Sequence, residues 1–227
     1  MSRPRGIAWR TPKLVAAVPK GHLAAAALDA LDRAGFDTSE VRVNERRQLF
    51  PEARIMTMRP SDVAKYVEAG VADIGIVGKD VIVEYSGEGA VYELLDLGFG
   101  RCEMVLATVE GDEDPVEAAL ARLGSARIAT KFPRTAIIWS EETATPIDLV
   151  ELKGSVELAA IAGLADGIID LVDTGQTLRE NHLIRRLTIA ESTARLICNP
   201  VAYSRKSSEI ADLVSKLSGG PPRSGDV

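Results

Sequence analysis

SDVAKYVEAGVADIGIVGKD, residues 61–80, lies over GSVELAAIAGLADGIIDLVD, residues 154–173, at a constant offset of 93 positions. The overlay matches Val63 with Val156, Ala69 with Ala162, Gly70 with Gly163, Ala72 with Ala165, Asp73 with Asp166, Ile76 with Ile169 and Asp80 with Asp173. Each copy reads as a helix, a glycine stop and a buried apolar strand that ends in aspartate. In the first copy Ser61 is the expected N-cap and Gly70 the stop. Ligands of open α/β sheets bind beyond the carboxyl ends of the strands, so both strand ends are candidate sites.

The surrounding sequence repeats the alternation. KLVAAVP (13–19), ADIGIVG (72–78), MVLATV (104–109), ARIAT (126–130) and IDLVEL (147–152) are strand candidates, and HLAAAALDALDRAG (22–35), DPVEAALARL (114–123) and residues 134–142 have helical spacing. Strands alternating with helices imply largely parallel sheets covered on both faces. The expected architecture is two α/β domains with a ligand cleft between them. The second domain, expected at 103–182, is inserted into a first domain of 1–102 plus 183–227. ESTARLICNPVAYS (191–204) returns the chain to the first domain, and SSEIADLVSKL (207–217) closes it with a helix.

Composition narrows the function. A formal net charge of −6 argues against sequence-independent nucleic-acid binding, which rests on clustered Lys and Arg. Cys102 and Cys198 lack metal-ligand neighbours and fit a reducing compartment. With His22 and His182 the only histidines, a histidine-based metal site is not expected. The apolar run LVAAV after the basic N-terminus is too short for a secretory segment, and no later run approaches a membrane span. A cytoplasmic protein is expected, with a disordered SGGPPRSGDV tail.

LVDTGQTLRENHL (171–183) allows two chemistries. Asp173-Thr174-Gly175 is the tripeptide of an aspartyl protease, but that mechanism needs two such carboxylates in an all-β fold. The chain has one, flanked by helical and strand patterns. As a phosphate loop, the N–H groups of Thr174, Gly175, Gln176 and Thr177 turn toward one anion, with Asp173 placed for sugar hydroxyls. The plainer alternative is that Thr177 caps a helix and Asp173 ends a strand. Lys20 and Gly21 of PKGH form a second candidate anion site at a strand-to-helix turn. Arg46, Arg47, Arg54, Arg59, Lys79 and Lys131 add cations, several of them at strand ends, where they would suit polyphosphate ligands.

LVAAVPKGHL, RPSDVAKYVEAGVADIGIVGKD, VYELLDLGFGRCEMVLA, RIATKFP, VELKGSVELAAIAGLADGIIDLVDTGQTLRENHLI and ESTARLICNP together resemble the ATP phosphoribosyltransferase family over about residues 13–217. The resemblance implies a two-domain, periplasmic-binding-protein-like (type II) α/β fold. It implies transfer of the phosphoribosyl group of PRPP to N1 of ATP with release of pyrophosphate, the first step of histidine biosynthesis, with Mg²⁺. Asp173, Thr174, Gly175, Gln176 and Thr177 would hold the ribose and 5-phosphate, with Glu157 nearby. Lys20, Gly21, Arg59 and Lys79 would face the polyphosphates, the first domain being the ATP side. No protein nucleophile is implied, with Lys20 and Asp173 acting by positioning.

The length resembles the family's short form, which works as a homodimer within a hetero-oligomer with a histidyl-tRNA-synthetase-like regulatory subunit. Histidine inhibition would then act through that partner. Two places depart from the family pattern: His22 stands where Arg commonly follows PKG, and RTAIIWSEE (134–142) is more apolar than usual. A non-catalytic ligand-sensing module of periplasmic-binding-protein type is the alternative, distinguished by whether the chain turns over ATP and PRPP.

Overall fold

The computed structural model describes residues 13–87 and 89–219. The expectations for residues 1–12 and for 220–227 of the tail lie outside them; Ser218 completes the last helix. The chain forms two compact units, residues 1–100 with 193–227 and residues 101–192.

In the first unit the elements are β1 (Ala16–Pro19), α1 (Ala24–Arg33), α2 (Ser39–Val43), β2 (Leu49–Phe50), β3 (Ile55–Met58), α3 (Pro60–Glu68), β4 (Ile74–Gly78), α4 (Lys79–Tyr85) and β5 (Tyr92–Asp96). The second unit contributes β6 (Cys102–Val109), α5 (Pro115–Leu123), β7 (Ala126–Thr130), α6 (Pro133–Thr143), β8 (Ile147–Glu151), α7 (Val156–Ile161), β9 (Gly167–Val172), α8 (Gln176–Glu180) and β10 (Leu183–Ser192). β11 (Ala194–Cys198), α9 (Pro200–Arg205) and α10 (Ser207–Ser218) complete the first unit. The sheets run β2-β3-β1-β4-β11-β5 and β10-β6-β9-β7-β8. In the first, β1 pairs in parallel with both β3 and β4; in the second, β7 pairs in parallel with both β8 and β9.

The repeat is reproduced bond by bond. After α3, Gly70 (φ 67°), Val71 and Ala72 donate to Val67, Tyr66 and Tyr66 carbonyls; after α7, Gly163 (φ 72°), Leu164 and Ala165 donate to Ala160, Ala159 and Ala159. Left-handed backbone at these two turns favours glycine. The aspartates then tie the strands together. Asp73 N donates to Val15 O (2.9 Å) while Asp73 Oδ2 accepts from Val15 N (2.8 Å). Asp166 N donates to Arg127 O (2.8 Å) while Asp166 Oδ2 accepts from Arg127 N (2.8 Å). Each carboxylate also holds a cation, Lys206 at 2.8 Å from Asp73 and Arg127 at 2.7 Å from Asp166.

Close packing seats the helices on the sheets. A Cβ on Gly75 would lie 2.8 Å from Val63 Cγ1 and 2.9 Å from Val67 Cγ2, so only glycine lets α3 approach β4. Proline occupies the first turn of α3, α5, α6 and α9, where its missing N–H costs nothing. Arg59 is therefore the N-cap residue of α3; Ser61, the expected cap, is already inside the helix. Asn199 uses its whole amide: Nδ2 donates to Val67 O (2.8 Å) and Glu68 O (3.2 Å), and Oδ1 accepts from Val201 N and Ala202 N. One buried side chain thus closes the end of α3 and opens α9.

Two readings are corrected by the sheet. Residues 183–192 were expected to lead back to the first domain, but β10 pairs antiparallel along β6 and belongs to the second unit. Its exposed alternation carries little apolar signal because it is an edge strand. Asp80 does not end β4; it lies in the first turn of α4. Among the described residues no helix is long and apolar enough to cross a membrane.

Asn199→Ala is expected to lower stability by about 2 kcal/mol, read as a shifted urea midpoint, because carbonyl and N–H groups lose their partners together. Asp166 has its carboxyl held below the usual range, first by the Arg127 hydrogen bond. Its contribution is present above the ordinary carboxylate value of 3.8 and is lost as pH falls through the depressed one. Asp166→Asn should therefore lower stability at pH 7 and flatten its fall on the acid side, measured by urea titration from pH 7 to 3.

Candidate functional site: a loop with free backbone donors

At the carboxyl end of β9 the chain turns through Asp173, Thr174 and Gly175 into α8. Gly175 is the N-cap residue, left-handed at φ 72°, and no side chain caps the helix. Thr177 lies inside α8 and is not its cap, which removes the plainer reading of that residue. Among the described residues the N–H groups of Thr174, Gly175 and Thr177 have no acceptor, and that of Gln176 reaches only Thr174 Oγ1 at 3.4 Å. These donors are left for solvent or a ligand. Arg179 Nη1 braces the turn from outside by donating to Thr174 O at 3.0 Å. α8 ends at Glu180, and His182 beyond it adopts φ 53°, which does not continue a helix.

The loop forms one wall of a cavity of about 260 Å³ whose lining includes Lys131, Glu157, Asp170 and all five residues Asp173–Thr177. Lys131 follows β7, the parallel neighbour of β9. Its ammonium lies 2.9 Å from Asp170 Oδ1 and 3.2 Å from Oδ2. Asp170 is 6% exposed, and burial raises its pKa, with Lys131 as the largest opposing influence. Thr130 fixes the turn beneath, donating to Ile169 O (2.6 Å) and accepting from Phe132 N (2.9 Å). At the repeat offset Asp170 corresponds to Val77, fully buried in the first unit. The second unit has put a charge where its counterpart packs an apolar side chain, an arrangement that costs stability unless the charge is paired, as it is here by Lys131.

The first unit gathers cations at the carboxyl ends of three adjacent parallel strands: Lys20 after β1, Arg59 after β3 and Lys79 after β4. Lys20 Nζ donates to Glu45 O (2.7 Å), and Lys20 with Gly21 (φ 89°) lines a cavity of about 530 Å³. Lys79 is paired with Glu93 at 2.6 Å. Arg59 is exposed; its carbonyl accepts from Asp62 N at 3.0 Å, and its guanidinium has neither hydrogen bond nor ion pair among the described residues. Arg47 and Arg54 are used otherwise, stacked over Phe50 and Phe36 at 5.0 and 4.9 Å.

Of the predicted residues, Glu157 and Asp173–Thr177 come together on one cavity and Lys20 and Gly21 on another; Arg59 and Lys79 share only the sheet edge. Asp170 was missed. The signal was present as an aspartate inside the apolar run GIIDLV, aligned with valine in the other copy.

These features define a periplasmic-binding-protein-like α/β protein with a turn of free backbone donors after a parallel strand. The family described as "HisG: ATP phosphoribosyltransferase" matches residues 59–219, and the chain belongs to it. The ATP phosphoribosyltransferase of Rubrobacter xylanophilus is 48% identical over 204 residues, 88% of this chain and 93% of the relative. That of Moorella thermoacetica is 41% identical, covering 95% and 96%. The ATP phosphoribosyltransferase in the HisG:HisZ complex from Thermotoga maritima superposes with a TM-score of 0.72 at 34% identity, covering 91% of this chain and 97% of that one. The periplasmic VFT2 domain of Bordetella pertussis BvgS, 17% identical over 90% of this chain and 86% of that one with a TM-score of 0.57, shares the fold.

Lys131→Met should leave Asp170 buried without its counter-charge. The expected loss is about 1–3 kcal/mol at pH 8, discounted because the lysine is partly exposed. The loss should shrink as pH is lowered, as Asp170 with its raised pKa takes up a proton; urea midpoints across the acid range measure it.

Proposed function

We propose that this chain transfers the phosphoribosyl group of PRPP to N1 of the adenine of ATP, giving N1-(5-phosphoribosyl)-ATP and pyrophosphate. The observation that carries the reading is the turn Asp173–Thr177, whose residues line the same cavity as Glu157, Asp170 and Lys131 and whose Thr174, Gly175 and Thr177 N–H groups have no acceptor among the described residues. The 5-phosphate accepts from the turn, and the ribose hydroxyls donate to the carboxylates of Asp173, Glu157 and Asp170. Lys20, Gly21, Arg59 and Lys79 are the first unit's groups for polyphosphate oxygens.

The chemistry needs no nucleophile from the protein. N1 of adenine attacks C1 of the ribose as pyrophosphate leaves, through a transition state with oxocarbenium character, so the chain's work is positioning and charge stabilisation. Carboxylates near the ribose favour the positive charge that develops there, and cations stabilise the departing pyrophosphate. Among the described residues no group of three or more His, Cys, Asp or Glu forms a metal cage. Mg²⁺ commonly arrives on substrate phosphates and takes only one or two protein carboxylates, which the Glu157 and Asp173 carboxylates lining the cavity can supply. Those two residues would hold it, and when bound it would neutralise phosphate charge.

The proposal includes a regulatory partner of the HisZ kind, supported by the Thermotoga maritima complex and its 97% coverage by this chain. Feedback inhibition by histidine would be delivered through that subunit, with this chain as a homodimer in the hetero-oligomer. A cytoplasmic location follows from the proposed substrates, both intracellular metabolites.

Purified chain with ATP, PRPP, Mg²⁺ and pyrophosphatase, with and without the matched partner, should form phosphoribosyl-ATP, followed in the near ultraviolet. No product in either arm from folded protein refutes the activity. Thr177→Val should weaken PRPP binding by about tenfold, the worth of one hydrogen bond to a charged group, with little change in unfolding midpoint. Gly175→Ala, strained at φ 72° and crowded by Arg179, should weaken PRPP binding and lower the midpoint as well. Unchanged PRPP affinity in a folded variant removes the turn from the site.

A further inference from the structure

At the other end of the first unit's sheet, where β1 and β3 begin, lies a cavity of about 250 Å³. Its apolar wall comes from Leu14, Ala34, Phe36 and Leu213. Lys13 and Arg54 also line it, with Glu209, Asp212 and Lys216 of α10.

Arg54 sets the chemistry. Its backbone is left-handed, φ 58°, a conformation strained for a residue with a long side chain. It is held there by the sheet: Ala16 N donates to Arg54 O (2.9 Å), and Arg54 N donates to Pro51 O (3.2 Å). The consequence is a half-buried guanidinium 4.9 Å over the Phe36 ring. Among the described residues it has no hydrogen bond and no ion pair, although it carries five N–H donors. Burial lowers its pKa, and no carboxylate offsets the shift.

Of the acids that line the cavity, one is ion-paired and one keeps its charge. Asp212 pairs with Lys216 at 2.7 Å, and Glu209 accepts from Ser208 Oγ at 2.8 Å. The Lys13 ammonium, like Arg54, has no partner among the described residues. Two cations without ion pairs, the exposed Lys13 and the half-buried Arg54, thus border an apolar wall against one unpaired acid, Glu209, in a space near the small end of ligand cavities, which run from about 300 Å³ upward. A planar guanidinium matches a carboxylate with two parallel hydrogen bonds, a match that an ammonium cannot make.

We infer that this cavity is a binding site for a small organic carboxylate with a compact apolar body, its carboxylate held by Arg54 and its body set against Leu14, Ala34 and Leu213. The occupant is distinct from the proposed substrates, because it binds at the amino ends of the strands whose carboxyl ends lead to Lys20 and Arg59. Its contacts reach the first turns of both strands and α10, so occupancy would tie the closing helix to the sheet.

Isothermal titration of the full chain with isovalerate, benzoate and inorganic phosphate tests the inference. Saturable binding of isovalerate or benzoate is expected, tighter than that of phosphate. Arg54→Gly keeps the left-handed backbone without strain and removes the guanidinium, so carboxylate binding should weaken by about tenfold or more while thermal unfolding shows a folded protein. Arg54→Lys, which keeps the charge but loses the fork, should also weaken it. Absence of saturable carboxylate binding to the wild-type chain, equal binding to Arg54→Gly, or a preference for phosphate would each overturn the assignment.

Discussion

Asp73 and Asp166 hold the beginnings of β4 and β9 against the neighbouring parallel strands, each exchanging two hydrogen bonds with one residue, Val15 or Arg127. The rest of the structure depends on this clamp. It fixes where β4 and β9 start relative to β1 and β7, and hence where each strand ends. The glycine turn before it, with Gly70 or Gly163 left-handed, sets how the preceding helix returns to the sheet. A one-residue slip in a parallel pair would invert every side chain. In these units it would also remove a carboxylate from two backbone and cationic partners at once.

The same scaffold then serves two purposes. In the first unit the strand after the clamp is apolar through Val77, and the carboxyl edge presents Lys20, Arg59 and Lys79. In the second unit the matching strand buries Asp170 against Lys131 and ends in a turn whose N–H groups have no internal acceptor. Such a site is unfavourable as structure and favourable as chemistry. In the proposed function, a buried carboxylate with its cation, beside unpaired amides, would let one small cavity receive both the hydroxyl and the phosphate ends of a sugar phosphate. Gly175 is essential to this geometry: with φ at 72° it turns the chain from strand into helix without a capping side chain that would compete with a ligand.

Much of this could be read in the residues. Repetition at a fixed offset, alternation of strand and helix patterns, and the DTGQT turn lead to the fold class and to one wall of the site. Other parts escaped because their signals are not local. β10 is an edge strand with a largely exposed alternation, so its membership in the second sheet rests on pairing with β6 and not on its own apolar pattern. Arg54 resembles any strand-flanking cation until its backbone conformation and the Phe36 ring beneath it are known. Lys79 reads as a free cation in GKD, yet Glu93, from a strand two places away in the sheet, neutralises it.

The sequence by itself determined the two α/β halves, their equivalence and the loop residues Asp173–Thr177, because periodicity, glycine stops and turn chemistry act between residues close in the chain. Only the tertiary structure decided that Asp170 and Lys131 form a pair beneath that loop, that Thr177 is not the helix cap, and that the second unit extends to Ser192. These depend on which strands become neighbours. Neighbourhood is set by hydrogen bonds and burial between segments tens of residues apart, which no local pattern encodes.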